Sequence, residues 1–195
     1  MVEADIGSVP MGCMGSVEEV RERIRSLGSA AILGFDGDQH VAQLQFRSFI
    51  PDTRSRNTLW DPLYWMDFGE EAVGATDALA VFCYHVGQLD DSDNRDPTYM
   101  GRGIGLQLLD EFLCWAHGTE ASAVVAKATP AARSVMAFMG GQPKAAYEGR
   151  GFRTVSSWCD DELAGVVIDS GLVEVEDLPD AATVACCVLE PLAGI

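Results

Sequence analysis

The chain has very little lysine. Of its 195 residues 13 are basic, and only Lys127 and Lys144 among these are lysines; against them stand 30 acids, for a formal net charge of −17. A balance so acidic excludes binding to a nucleic-acid backbone, which needs a basic face. It suits a cationic or amine partner, and equally simple solubility. No apolar run approaches the ~18 residues of a membrane span. The N-terminus, Met-Val-Glu-Ala-Asp, lacks the basic flank and long apolar stretch of a secretory leader. The six cysteines form no Cys-x-x-Cys pair and do not cluster with the three histidines. They are read as small apolar residues in a reducing cytoplasm, with no metal site. Neither an internal repeat, a linker nor a low-complexity tract divides the chain, so a single domain over 1–195 is expected.

What is present centres on Tyr99-Met100-Gly101-Arg102-Gly103-Ile104-Gly105-Leu106. Glycines at alternate positions free the backbone to turn successive N–H groups toward one point, a nest for an anion at a helix N-terminus. From Ile104 to Ala116, Gln107, Asp110, Glu111 and Cys114 recur at helical spacing, while Leu108, Leu109, Phe112, Leu113 and Ala116 fill the opposite side. Two familiar phosphate loops are excluded. A nucleotide P-loop would continue with Lys and Ser or Thr, where Leu106 and Gln107 stand. The dinucleotide fingerprint needs a glycine where Leu106 stands. A plain glycine-rich turn, or a loop for some other anion, remains open on these residues alone.

The segment resembles the acyl-CoA loop of the GNAT acetyltransferase superfamily, Gln/Arg-x-x-Gly-x-Gly/Ala ahead of a helix. Gly103 and Gly105 match the small positions, Arg102 fills a slot that is often basic, and Met100 departs from the usual Gln or Arg. Downstream, Tyr147-Glu-Gly-Arg-Gly-Phe152 resembles the family's Tyr-x-x-x-Gly-Phe element. Between the two lie an apolar strand, Ser122–Thr129, and a helical stretch, in the family's order. The resemblance covers roughly 30–192. It implies an α/β (α+β) GNAT fold: a mixed, mostly antiparallel sheet of about six or seven strands flanked by helices, with strands four and five splayed apart. It also implies transfer of an acetyl group from acetyl-CoA to a primary amine of a small molecule or peptide. A GNAT-fold module that binds CoA or regulates a partner without transfer is the alternative.

Elsewhere, residues 1–15 show no period, so no first strand is expected. Ser16-Val-Glu-Glu19 is a capping box for a helix closing at Gly28. Ala30–Phe35 and Val41–Phe49 form a hairpin around Asp36-Gly37-Asp38. Residues 50–78 are an aromatic-rich insertion, with Asp61-Pro62 opening a helix. Its Trp60, Tyr64, Trp65 and Phe68 either line an acceptor pocket, form a contact in a homodimer, or cap the sheet. Leu79–Leu89 reads as a strand that resembles the family's fourth, with Phe82, Tyr84 and Val86 expected on one face and Val81, Cys83 and His85 on the other. Gly87 is expected to make the bulge that splaying requires.

The resemblance implies site residues as follows. Tyr147 is the catalytic acid. Gly101, Arg102, Gly103, Ile104 and Gly105 hold the pyrophosphate, and the backbone from Val86 to Gln88 holds the acyl carbonyl. From the residues themselves rather than the resemblance, His85 reads as a general base or a buried core histidine, and Asp90 and Asp91 as groups that attract the amine or relay its proton, or merely solvate a turn. Arg133, Lys144 and Arg150 lie near the motifs and supply local positive charge. The family's mid-helix asparagine is missing near Gly140; that contact is lost or made by another group.

Overall fold

The computed structural model describes residues 1–12, 15–51, 64, 67–68, 77–92 and 94–192. Asp61, Pro62, Trp60 and Trp65 lie outside the described residues.

Helix α1 (Val17–Leu27) is set by its capping box: Glu19 N–H donates to Ser16 Oγ and the Glu19 carboxylate accepts from Ser16 N–H. Gly28 ends it in the left-handed region, as the sequence leads one to expect. Val20 is its one fully buried residue, packed with Met1, Val9, Ala30 and Ala31. The N-terminal segment is not a strand. A short 3-10 turn at Glu3–Asp5 leads into residues 6–12, and the Met1 ammonium donates to Ser29 Oγ and to the Ala31 carbonyl.

Among the described residues six strands form one sheet: β1 (Ala31–Asp36), β2 (Gln39–Ser48), β3 (Ala78–Val86), β4 (Ala123–Ala128), β5 (Arg153–Cys159) and β6 (Thr183–Leu189). Their order is β1-β2-β3-β4-β6-β5, antiparallel throughout except for the parallel pair β3–β4. Helix α2 (Ile104–Ala116) is the right length and composition to connect that parallel pair. It lays Leu108, Leu109, Phe112 and Leu113 on the near face of the sheet, against Leu44, Phe46, Val81 and Tyr84. Each such fully buried side chain contributes ~1.5–3 kcal/mol of transfer free energy, so this stripe is what fixes the helix on the sheet.

Between β4 and β5 come α3 (Arg133–Met139) and α4 (Lys144–Glu148), and between β5 and β6 come α5 (Asp161–Asp169) and α6 (Leu178–Ala182). Helices α5 and α6 bury Leu163, Val167 and Ala181 with Tyr64, Val135 and Met139. Lys127 is enclosed beneath them: its Nζ donates to the Tyr64 carbonyl at 3.2 Å, lies 3.4 Å from the Tyr64 ring centroid, and pairs with Asp160 at 3.4 Å.

The facing of β3 corrects the alternation expected from sequence. The pairing of β2 with β3 slips between Gln45 and Phe46, so that Phe82 has no partner in the register. Phe82 is the bulge, not Gly87. In consequence Val81 and Tyr84 share the near face with Val86, while the Phe82 ring turns to the far face, under the Arg47 and Arg23 guanidinium groups at 4.3 and 5.4 Å. One extra residue in a strand shifts every later side chain to the other face.

The parallel pairing of β3 with β4 stops at Val81–Ala126, and beyond it the two strands no longer pair with each other, β3 staying with β2 and β4 with β6. The splay is therefore present. Its upper part is filled by the connection from α3 to α4: Tyr84 N–H donates to the Gly140 carbonyl at 2.8 Å and Thr129 N–H to the Gln142 carbonyl at 2.9 Å. Gly140 has φ +63°, and a Cβ there would stand 2.7 Å from the Tyr84 carbonyl. Only glycine lets the backbone wedge in so closely.

Candidate active site

The glycine loop begins where β3 ends. Asp96 caps a 3-10 turn (Pro97–Tyr99) by accepting from Thr98 N–H at 2.8 Å, and Gly103, in the left-handed region, is the N-cap of α2. The Gly103 carbonyl accepts from the N–H groups of Leu106 and Gln107. Ile104 and Gly105 precede these, at the helix start where amides have no intrahelical acceptor. The first turn of α2 carries no acid, so the positive end of the helix dipole is not neutralised from within.

Positive side chains gather here from separate elements. Arg102 sits with its guanidinium 5.5 Å above the Tyr99 ring. Arg133, at the start of α3, comes within 3.6 Å of where a Cβ on Gly101 would stand. Arg95 anchors α3 by donating to the Ala137 carbonyl at 3.1 Å. Two other bases named from sequence are committed elsewhere. Arg150 grips Asp110 with two nitrogens and also donates to the Leu106 and Ala146 carbonyls. Lys144 lines an 810 Å³ groove among Pro130, Ser134, Glu174 and Asp177, away from the loop.

The glycines do different jobs. Gly103 faces open space and is needed for its φ of +76°, whereas a Cβ on Gly105 would collide with the Gln142 carboxamide. Gln142 thus lies over the first turn of α2, the region from which the family's asparagine is missing. It is the side chain that sequence reading overlooked there.

Beneath the loop, Tyr147 is 1% exposed and packs edge-on against Phe152 at 5.3 Å. Its hydroxyl donates to that of Tyr84 at 3.3 Å. Burial pushes both phenols well above their ordinary value, so both stay protonated at any working pH.

By the alternation of an antiparallel ladder, the Val86 amide faces the same side as that of Tyr84. Val86 stands opposite Ala42, and the next residue, Gly87, gives its N–H to the Val41 carbonyl. The Val86 N–H therefore points into the splay beyond the Gly140 wedge. Gln88 is buried, with its carboxamide donating to the Ser92 carbonyl at 3.0 Å.

His85 lies on the far face, 5% exposed, with Nε2 3.1 Å from Cys83 Sγ. The register sets it directly opposite Gln43, and sets Cys83 opposite Gln45. Both glutamines are completely buried; their amide nitrogens donate to the carbonyls of Pro10 (3.1 Å) and Met11 (3.3 Å). Gln43 Oε1, Gln45 Oε1 and His85 Nδ1 have no hydrogen-bond partner among the described residues. A buried acceptor left so costs ~1–3 kcal/mol. Asp91 accepts from Met11 N–H at 2.8 Å and joins the N-terminal segment to this patch, while Asp90 is taken up by Ser92, which lowers its pKa. Among the described residues no group of His, Cys, Asp and Glu could hold a metal ion, and no helix is long and apolar enough to cross a membrane.

No protein-family model and no curated protein matches the sequence. Solved structures do. Mosquito arylalkylamine N-acetyltransferase like 5b is 14% identical, with 90% of this chain and 82% of that chain covered at a TM-score of 0.50. The GphF GNAT-like decarboxylase in complex with isobutyryl-CoA is also 14% identical, covering 91% and 86% at 0.46. Ard1 from Thermoplasma volcanium is 11% identical, covering 98% and 94% at 0.45. The likeness to the mosquito protein is one of fold. Together with the strand order, the single parallel pair and its splay, it gives this chain the GNAT fold.

Proposed function

We propose that this chain is an acetyl-CoA-dependent N-acetyltransferase, a single domain that acetylates a primary amine of a small molecule or peptide. One coincidence carries the reading: an anion-seeking helix start, with arginines near it and no acid in its first turn, adjoins a splayed strand pair, one strand of which carries Tyr84, bonded to Tyr147 of α4. The residues present fit a CoA thioester. The amides from Gly101 to Gly105, with Arg102 and Arg133, would hold its phosphates. When bound, acetyl-CoA supplies an acetyl group activated as a thioester.

The chain's own residues supply the rest. Val86 N–H, fixed in the ladder, would receive the acyl carbonyl oxygen without reorganising, which is where such donors are worth most. Tyr147, its hydroxyl bonded to that of Tyr84, would serve as the proton donor to the leaving thiolate. Gln142 braces the start of α2. Gln88 holds the acidic turn beside the strand end.

A thiol-release assay over a panel of primary amines tests the reading. Release that depends on both acetyl-CoA and one amine class supports it; tight acetyl-CoA binding with no release for any amine contradicts it. The second reading, a CoA-holding module without transfer, is favoured by the Gly140 wedge, which already occupies the Tyr84 amide.

A further inference from the structure

The element that carries Tyr147 is poorly equipped to hold itself. Helix α4 has five residues, far short of the ~12–15 below which an isolated helix is marginal, and no side chain caps its N-terminus. Past its other end the N–H groups of Gly149, Arg150, Gly151 and Phe152 go to the carbonyls of Ala145, Tyr147, Glu148 and again Tyr147. The carbonyl that these amides pass over is that of Ala146, and the Arg150 side chain takes it, Nη1 donating at 3.2 Å.

The same guanidinium then crosses to α2. Nη2 donates to the Leu106 carbonyl at 3.3 Å, and Nε and Nη2 together grip the Asp110 carboxylate. One planar fork thus uses all three nitrogens on three acceptors of two helices, a pattern that a lysine ammonium does not reproduce. Leu106 directly follows Gly105 in the first turn of α2, the turn whose amides would seat the phosphates. The segment before α4 meets that turn as well, since the Gln142 carboxamide lies where a Cβ on Gly105 would stand. The Arg150 side chain is largely enclosed and its charge is met by Asp110, so it is not spare positive charge for a phosphate.

We propose that Arg150 is a positioning residue that fixes the Tyr147 hydroxyl relative to the phosphate seat at the start of α2, so that a thioester anchored by its phosphates meets its proton donor in register. The proposal rests on the transferase reading for its purpose, but the tie between the two helices stands alone. No bond of the reaction changes at Arg150. Its effect is also bounded, because misplacing a donor costs no more than removing it.

The test has two arms. In the first, thiol release is measured for Arg150→Met in the wild-type and Tyr147→Phe backgrounds. The expected fall in kcat is about tenfold in the first and under about twofold in the second, where no hydroxyl is left to position. Acetyl-CoA affinity, read by calorimetry, is expected to hold. Equal falls in the two backgrounds overturn the proposal, since a general loss of stability acts on both alike. Arg150→Lys keeps the charge without the fork, and full recovery by lysine also overturns it.

The second arm needs no turnover. Amide hydrogen exchange of the full chain is followed with inorganic pyrophosphate, which can fill only the glycine loop. In wild type the expected result is slower exchange at Leu106 and Gln107 and also at Gly149 and Phe152, whose N–H groups hold α4 from its C-terminal side. In Arg150→Met the slowing is expected to stay within α2. Asp110→Asn, at a position exposed to solvent, gives the same comparison if Arg150→Met does not fold. No slowing at Gly149 and Phe152 in wild type, or equal slowing in the variants, overturns the proposal. Transmission in a chain that releases no thiol with any amine would sink the transferase reading and leave the tie standing; thiol release without transmission would do the reverse.

Discussion

The Tyr147 hydroxyl donates to that of Tyr84 across 3.3 Å, joining the helix before the Gly-Phe turn to the strand that bounds the splay. Neither phenol is exposed; on the transferase reading the two hydroxyls would act as one donor unit and not as two independent acids.

Tyr147→Phe and Tyr84→Phe should therefore each lower kcat about 10²-fold, in the range of general-acid contributions. The double variant should be little worse than either, because groups that act as a unit are strongly non-additive. Steady-state thiol release, with acetyl-CoA affinity measured separately and unchanged, checks this. Additive losses would mean that the two hydroxyls serve different steps.

The same pair gives a stability signature at alkaline pH. Both folded pKa values lie above the ordinary 10.0 of tyrosine, so the unfolded chain releases these protons first. The contribution is fully present below pH ~10 and is lost as pH rises beyond it. Urea midpoints should fall above that pH, and should fall less in the double Phe variant.

Gly140→Ala combines a positive φ with a Cβ aimed at the Tyr84 carbonyl. A destabilisation of ~1–3 kcal/mol is expected from urea unfolding. An unchanged midpoint would mean that the wedge is not held in the splay.

Asp160→Ala removes the partner of the enclosed Lys127 and the side-chain cap of α5 together. Losing one member of a buried pair costs ~3–5 kcal/mol, and urea unfolding should show a loss of that size. A loss under ~1 kcal/mol would place Lys127 in contact with water.

Much of this was legible in the sequence. The capping box at Ser16, the Asp36-Gly37 hairpin, the limits of α2 and the two motifs all rest on local chemistry that the fold does not override. The facing of β3 was not legible, because period-two alternation cannot register an unpaired Phe82. Tyr84 keeps the face it was expected to share with Val86; its pairing with Tyr147 was not legible because the two lie 63 residues apart in the chain. The wedge at Gly140 was hidden for a different reason: a glycine pair after a helix reads as a stop, and only the tertiary structure shows whose carbonyl it crowds. Gln43 and Gln45 did carry a signal, two amides at period two within an apolar strand, and both lie fully buried on the far face of β2.

Titration calorimetry with acetyl-CoA, CoA and ADP, on wild type and on Gly103→Val, tests the central claim most directly. The account expects both CoA species to bind wild type, ADP to bind far more weakly, and Gly103→Val to lose binding while staying folded. Failure of wild type to bind either CoA species, or binding by the Gly103→Val variant equal to that of wild type, would contradict it.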